Sequence, residues 1–346
     1  MTDMTDELAN RRLKAGKLPA DLLANFLGDF APTNPRILLG PAVGEDAAFV
    51  SFGSKTLIAK SDPITFATDR IGWYAIQVNA NDIAASGGIP KWFLGTLLIP
   101  ENEPASTAIN IFARLQEAAT ELGITVIGGH TEITIDLPRP IIAGTMLGEA
   151  SPSETVKTST ANIGDDVILT SGIAIEGTAI IARESKSKLL SAGLSNLQIS
   201  QAAKFLDSPG ISVVKAARTA TSTGHVTAIH DPTEGGLAGA LDEMARASKT
   251  GINIDVEQVL IYPETKAICA ALGLDPWGLI ASGALIITCA PNGSQEIVDS
   301  LKNNGIPANV IGNITHPDNG LTRTSRGISE PLPVFERDEI ARLYSR

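Results

Sequence analysis

Five short clusters in this 346-residue sequence bring acids, amides and glycines together in ways that could do chemistry. Gly44-Glu45-Asp46-Ala47-Ala48 places two adjacent acids directly before an apolar run. Ser61-Asp62-Pro63 puts an acid at the expected end of a strand, and Asn79-Ala80-Asn81-Asp82 lies inside an apolar stretch. Gly128-Gly129-His130-Thr131-Glu132 follows another expected strand. His230-Asp231-Pro232-Thr233-Glu234-Gly235-Gly236 runs from a strand into a helix start. Asp82 is the most informative: Ile71, Ala75, Val78, Asp82 and Ala85 share one helical stripe. A carboxylate on an apolar stripe is costly unless it is paired, hydrogen-bonded or bound to a cation. Taken alone, Asp82 is equally explained as a satisfied buried acid; taken with the other clusters, a ligand explains it better. Mg²⁺ takes oxygen ligands, commonly carboxylates together with substrate phosphates. Glycine pairs let backbone N–H groups approach an anion, and the helix start after Thr233 adds a favourable dipole. Acids that hold Mg²⁺ beside glycine-rich turns are what nucleotide phosphoryl transfer requires.

Other chemistries lack their patterns. The sequence contains no G-x-x-x-x-G-K-[ST], no G-x-G-x-x-G after a strand, no G-x-S-x-G and no H-E-x-x-H. Cys269 and Cys289 lie in apolar context and are expected to pack. His225 and His230 have an odd spacing on one expected strand, which sends them to opposite faces and disfavours a zinc pair. Lys17 and Arg36 are the cations nearest the early clusters; each could neutralise phosphate or simply be solvated. Acidic residues outnumber basic ones, 38 to 27, for a net charge of −11. That balance argues against nucleic acid or an anionic membrane as partner. Two cysteines make no disulfide framework, so a cytoplasmic location is expected. The longest apolar run, 277–290, is short of the ~20 residues that a spanning helix needs. The opening MTDMTDELANRRLK has no apolar core of the secretory kind.

The elements that must position these clusters mix helix and strand. Residues 1–17 read as a flexible N-terminal arm. A short helix is expected over 19–27, and a hairpin over 47–52 and 56–60 turning at Gly53-Ser54. Helices are expected over 69–86, apolar on most sides and hence buried, and over 104–122. Strands are expected over 92–99, 124–127 and 140–147. Composition then shifts to ASPSETVKTSTAN at 150–162, where we place a boundary between a domain over 18–150 and one over 163–330. The second domain is expected to carry strands over 166–170, 226–230, 252–256, 284–289 and 308–314. Its helices are expected over 234–248, 263–272 and 294–303. Hairpin-type connections favour two α+β domains over one doubly wound sheet.

In this order the clusters resemble the ATP-binding superfamily of aminoimidazole ribonucleotide (AIR) synthase, PurM. Selenophosphate synthetase, thiamine-monophosphate kinase and the hydrogenase maturation factor HypE are among its members. GEDAAFV is similar to the G-D-D-A-A element and KSDPITF to the T-D element. NANDIAASGGIP resembles N-D-I-A-A-M-G-A-x-P, and VIGGHTEI resembles the G-G-[DEH]-[ST] element. HDPTEGGLAGALDEMA and GDDVILTSGIAIEGTAII resemble the second domain's D-x-T-x-G-G/F-G segment and opening strand-loop-helix. The nearest subgroup is the AIR synthase-related, HypE-like proteins. The resemblance implies two α+β domains, a homodimer that pairs the N-terminal sheets, and ATP between the domains. The implied reaction is attack of a small-molecule oxygen, often amide-like, on ATP with Mg²⁺. Carried over by motif, Asp46, Asp62 and Asp82 would hold Mg²⁺ and phosphates, with Asp46 and Asp82 central to catalysis and Glu45 a second candidate. Asn81, Gly128, Gly129, His130 and Thr131 would contact nucleotide, and Asp231 would approach the metal from the second domain. His130 stands where kinase and cyclase members carry an acid, as in selenophosphate synthetases, and Glu132 could substitute. HypE carries its carbamoyl group on a terminal cysteine. The last residues here are Leu343-Tyr344-Ser345-Arg346, so that chemistry is not expected. Three readings stay open: an ATP-dependent enzyme with a small-molecule acceptor, a maturation factor acting on a partner protein, and a non-catalytic ATP-binding sensor or scaffold.

Overall fold

A computed structural model describes residues 17–18, 20–27, 32–65 and 69–344. The arm expected over 1–17 lies outside them apart from Lys17, as does the first residue of the helix expected over 19–27. That helix, α1, is described over Ala20–Leu27. The described residues divide into two compact units, one within 34–39 and 46–155, the other within 1–33, 40–45 and 156–346.

In the smaller unit β1 (Ile37–Leu39) pairs with β2 (Ala48–Phe52). β2 and β3 (Lys55–Ile64) form the expected hairpin, with Phe52 opposite Lys55. β3 runs on through Asp62, which therefore lies within a strand rather than after one. Beyond Ala59, β2 no longer pairs with β3, and only β6 (Ile141–Ala150) continues its ladder. A proline has no N–H to donate, and Pro63 sits in this one-sided stretch, where the loss is tolerated. β4 (Ile89–Pro100) is antiparallel to β6 and parallel to β5 (Thr125–Thr134). The sheet order is β1-β2-β3-β6-β4-β5, so β5 is an edge.

Helix α2 (Ile71–Ala85) packs against β3, β4 and β6 and against helix α3 (Ala105–Leu122). All 15 residues of α2 are buried, as its all-round apolar character requires. α3 buries the stripe Ile111, Leu115, Ala118 and Ala119 and leaves its polar face outward. The helices can meet closely because Gly72 carries no side chain: a Cβ there would lie 2.3 Å from the Ile111 carbonyl oxygen.

In the larger unit the strands are β7 (Asp166–Thr170), β8 (Val226–His230), β9 (Gly251–Asp255), β10 (Ile286–Cys289), β11 (Ala308–Thr315), β12 (Leu321–Ser325) and β13 (Ile328–Pro331). Their order is β13-β12-β9-β11-β7-β10-β8, antiparallel throughout except for β9 with β12. Between β7 and β8 lie α4 (Ile175–Glu184), α5 (Lys186–Ser191), α6 (Asn196–Ala203) and α7 (Val214–Thr221). Val167, Leu169, Ile286 and Ile311 from the sheet pack with Leu237 and Leu241 from helix α8 (Gly236–Ser248). Helix α9 (Pro263–Leu272) has the expected bounds, and helix α10 (Pro291–Asn303) starts earlier than expected at its proline. The β12–β13 hairpin and a final helix, α11 (Glu339–Tyr344), were not among the expected elements. Both units are thus α+β with mixed sheets. Among the described residues no helix is long and apolar enough to cross a membrane.

Candidate functional site

Asp82 sits near the end of α2 and is 3% exposed. Its Oδ1 accepts a hydrogen bond from the Lys60 Nζ on β3, 3.2 Å away. Asp46, part-buried just before β2, brings a carboxylate oxygen within 4.8 Å of one from Asp82. Carboxylates this close repel one another unless a proton or cation relieves them. Lys60 offsets one of the two negative charges, and the remainder suits a hard cation with oxygen ligands. Of the acids singled out by their motifs, these two are brought together in the smaller unit.

Asp62 is held by its backbone. The Asn79 amide oxygen accepts from the Asp62 N–H at 3.1 Å, and Asn79 Nδ2 donates to the Asp62 carbonyl at 3.2 Å and to the Ala75 carbonyl at 2.9 Å. Gly144 lies opposite Asp62 in the ladder, and a Cβ there would come within 2.5 Å of Asn79 Nδ2. Asn79 is thus a clamp between α2 and β3 that motif reading did not assign. Its signal was present, an amide three residues before Asp82 on a buried helix. Asn81 is equally buried, at 1% exposure.

Gly128, Gly129, His130 and Thr131 were expected at a strand end. β5 instead continues through them to Thr134, because β4 offers a parallel ladder as far as Pro100. All four are exposed along the sheet edge. The second glycine is demanded by the neighbouring strand: a Cβ on Gly129 would lie 2.0 Å from the Gly95 carbonyl oxygen. His130 Nε2 is 3.5 Å from the Glu132 carboxylate, so these two residues share a face, as strand alternation requires.

In the larger unit both carboxylate oxygens of Glu45 accept backbone N–H groups, from Thr158 at 3.1 Å and Ser159 at 3.2 Å. Asp231 follows β8 and is 3% exposed. Beside it, the His230 ring is 3.0 Å from Glu243, which also receives Lys17 Nζ at 2.9 Å. Burial alone would raise the Glu243 carboxyl, but His230 and the Lys17 ammonium together hold it down at about 2. His225 bonds Glu296 instead, at 3.0 Å, so the two histidines serve different partners. In the smaller unit Arg36 donates to the Ser51 carbonyl at 2.9 Å and lies over the Phe52 ring. Cys269 and Cys289 are buried, and burial pushes both thiols up to about 12.

Two α+β units with these mixed sheets define the PurM-like architecture. Residues 44–150 match the N-terminal domain, and residues 162–322 the C-terminal domain, of AIR synthase related protein. The chain belongs to the AIR synthase-related family. It is 27% identical over 285 residues to carbamoyl dehydratase HypE of Rhizobium leguminosarum bv. viciae, covering 80% of this chain and 78% of the relative. It is 29% identical over 296 residues to selenide, water dikinase of Shewanella sp. (strain MR-7), covering 82% and 74%. The hydrogenase maturation protein HypE in complex with ATP shares the fold with a TM-score of 0.71 at 20% identity, covering 95% of this chain and 98% of that one.

Proposed function

We propose that this chain transfers a phosphoryl group from ATP, with Mg²⁺, to an oxygen of a small-molecule acceptor. The observation that carries this reading is the Asp46–Asp82 carboxylate pair beside Lys60, on the two motifs that the family uses for metal and phosphate. In this proposal Asp46 and Asp82 hold Mg²⁺, and Asp62 and Asp231 are further candidate ligands. Asp46 takes precedence over Glu45, whose oxygens are already engaged by backbone amides. Asn81, Gly128, Gly129, His130 and Thr131 are assigned to nucleotide contact. Mg²⁺, when bound, would neutralise charge building up on the transferred phosphoryl group. Lys60 orients Asp82 and limits repulsion within the pair. The exposed β5 edge carries Ile127, 51% exposed, and Ile133, 60% exposed, which supports a homodimer that covers it.

The test is release of ADP or AMP from Mg²⁺–ATP with a panel of acceptors, comparing wild type with Asp82→Asn and Asp46→Asn. Loss of turnover in folded variants is expected; unchanged turnover overturns the assignment. ADP as product indicates kinase or cyclase chemistry, whereas AMP and phosphate indicate the dikinase type. The likeness to carbamoyl dehydratase HypE favours a second reading, a maturation factor acting on a partner protein. A stable stoichiometric partner, with turnover only in its presence, would distinguish it. Tight Mg²⁺–ATP binding without product release would mark a sensor or scaffold.

A further inference from the structure

We infer that the larger unit contains a binding site for an ammonium or guanidinium group, formed by Glu176, Glu234 and Ser282 with Asp338 behind them. It rests on the phosphotransfer reading only in assigning that group to the acceptor.

Glu176 lies in the first turn of α4 (Ile175–Glu184), in the otherwise apolar GIAIEGTAII, and is 5% exposed. Three segments converge on it. The Gly177 N–H donates to the Ile280 carbonyl at 3.1 Å, and a Cβ on Gly177 would lie 2.5 Å from Leu279 Cγ, so the helix start is pressed onto 279–282. The Ala281 N–H donates to the Thr233 carbonyl at 3.3 Å, tying 233–236 to the same place. Ser282 lies close enough to the Glu176 carboxylate to favour its ionised form. The Glu176 Oε2 is buried without a hydrogen-bond partner among the described residues. A buried acceptor in this state carries a desolvation cost that a bound donor would relieve.

The charges that reach Glu176 are those of Glu234 and Asp338, both negative. Burial first, then these acids, push its carboxyl up to about 8. Asp338 is 4% exposed and accepts N–H groups from Gly235 and Ile340, each at 2.7 Å. Burial raises it too, to about 6. With its acceptor positions engaged, Asp338 supplies charge rather than a ligand atom. What remains open is the Glu176 Oε2 and the half-buried Glu234 carboxylate. Two such acceptors in a negative field fit N–H donors on a cation. A bare divalent ion, which demands a fuller oxygen shell, fits them less well. Binding of the cation drives Glu176 to ionise and release its proton to solvent.

The full chain, without nucleotide, is titrated with methylguanidinium and methylammonium chlorides by ligand-observed NMR and calorimetry. Tetramethylammonium, which has no N–H, and Mg²⁺ are run in parallel. Saturable binding of an N–H cation is expected, roughly tenfold weaker in Glu176→Gln and in Glu234→Gln. Calorimetry in buffers of different ionisation enthalpy should show release of about one proton at pH 7, absent in Glu176→Gln. Equal binding of tetramethylammonium, occupancy by Mg²⁺ alone, or affinity unmoved by both substitutions overturns the proposal. Should Glu176→Gln fail to fold, the half-buried Glu234→Gln decides it. ATP binding by wild type is measured separately: its absence with cation binding intact sinks the phosphotransfer reading alone, and the reverse sinks the cation site alone.

Discussion

Replacing Glu176 with glutamine should change how the stability of the protein depends on pH. The carboxyl moves from 4.5 to about 8 on folding, chiefly through burial, with Glu234 and Asp338 adding to the rise. Below pH 4.5 the group is protonated in both folded and unfolded chains and has no effect. Between 4.5 and about 8 the folded state keeps a proton that the unfolded state has lost. Stability therefore falls as pH rises through this window, by about 1.4 kcal/mol per pH unit. The accumulated penalty is about 3 kcal/mol at pH 7 and about 5 kcal/mol once the window is crossed. The variant lacks this slope. Its absolute stability is a poor readout, because the new amide nitrogen is itself buried where Oε2 had no partner. The slope is the sound one, since Asp338, raised to about 6, contributes its own fall to both proteins and cancels. The assay is thermal or urea unfolding at half-unit steps from pH 4 to 9. The gap between variant and wild type should widen in favour of Glu176→Gln up to about pH 8. An infrared band of a protonated carboxyl at neutral pH should be lost in the variant. Parallel curves, or no such band, would refute the argument that Glu176 is buried as a neutral acid.

Other perturbations follow from the same geometry. Gly144→Ala places a methyl 2.5 Å from Asn79 Nδ2 and 2.7 Å from the Phe93 ring, so it should destabilise the smaller unit by about 1–3 kcal/mol, read by thermal unfolding. Glu243→Gln removes an acid held at about 2 by His230 and Lys17. Its stability deficit should be full above pH 4.5 and vanish as pH falls through about 2, checked by acid unfolding. Ile133→Lys puts a charge on the exposed β5 edge and should shift sedimentation equilibrium toward monomer with little change in the monomer's circular dichroism.

Much of this fold is legible in the sequence. The bounds 166–170, 226–230 and 263–272 are those observed, because each is a short run fenced by turn residues. Misreadings occurred where tertiary pairing overrode local punctuation. Pro63 and the Gly128-Gly129 pair look like strand terminators, yet β3 and β5 continue through them because only one neighbour needs their backbone groups. The β12–β13 hairpin was hidden by its Ser, Thr and Arg content. Its two-residue turn, Arg326-Gly327, has both φ angles positive and was the available signal. Within the site, the helical stripe exposed Asp82, and the structure supplies what no spacing could, its Lys60 partner and the nearness of Asp46. The loops around 172–177 and 272–282 are where the sequence places specificity, but a single acid such as Glu176 in an apolar run is not diagnostic until its neighbours in space are known.

Because α2 has no solvent-facing side, it has no positions where substitutions can accumulate unnoticed. On an ordinary amphipathic helix, half the residues drift freely while the other half preserve the core. Here the amides, Asp82 and the packing residues occupy the same closely surrounded rod. Selection for folding and selection on the carboxylate pair therefore act on one set of positions. A saturation scan of 71–85 scored separately for abundance and for nucleotide turnover should find almost no tolerant site, and Asp82 should stand out as the position where the two scores part.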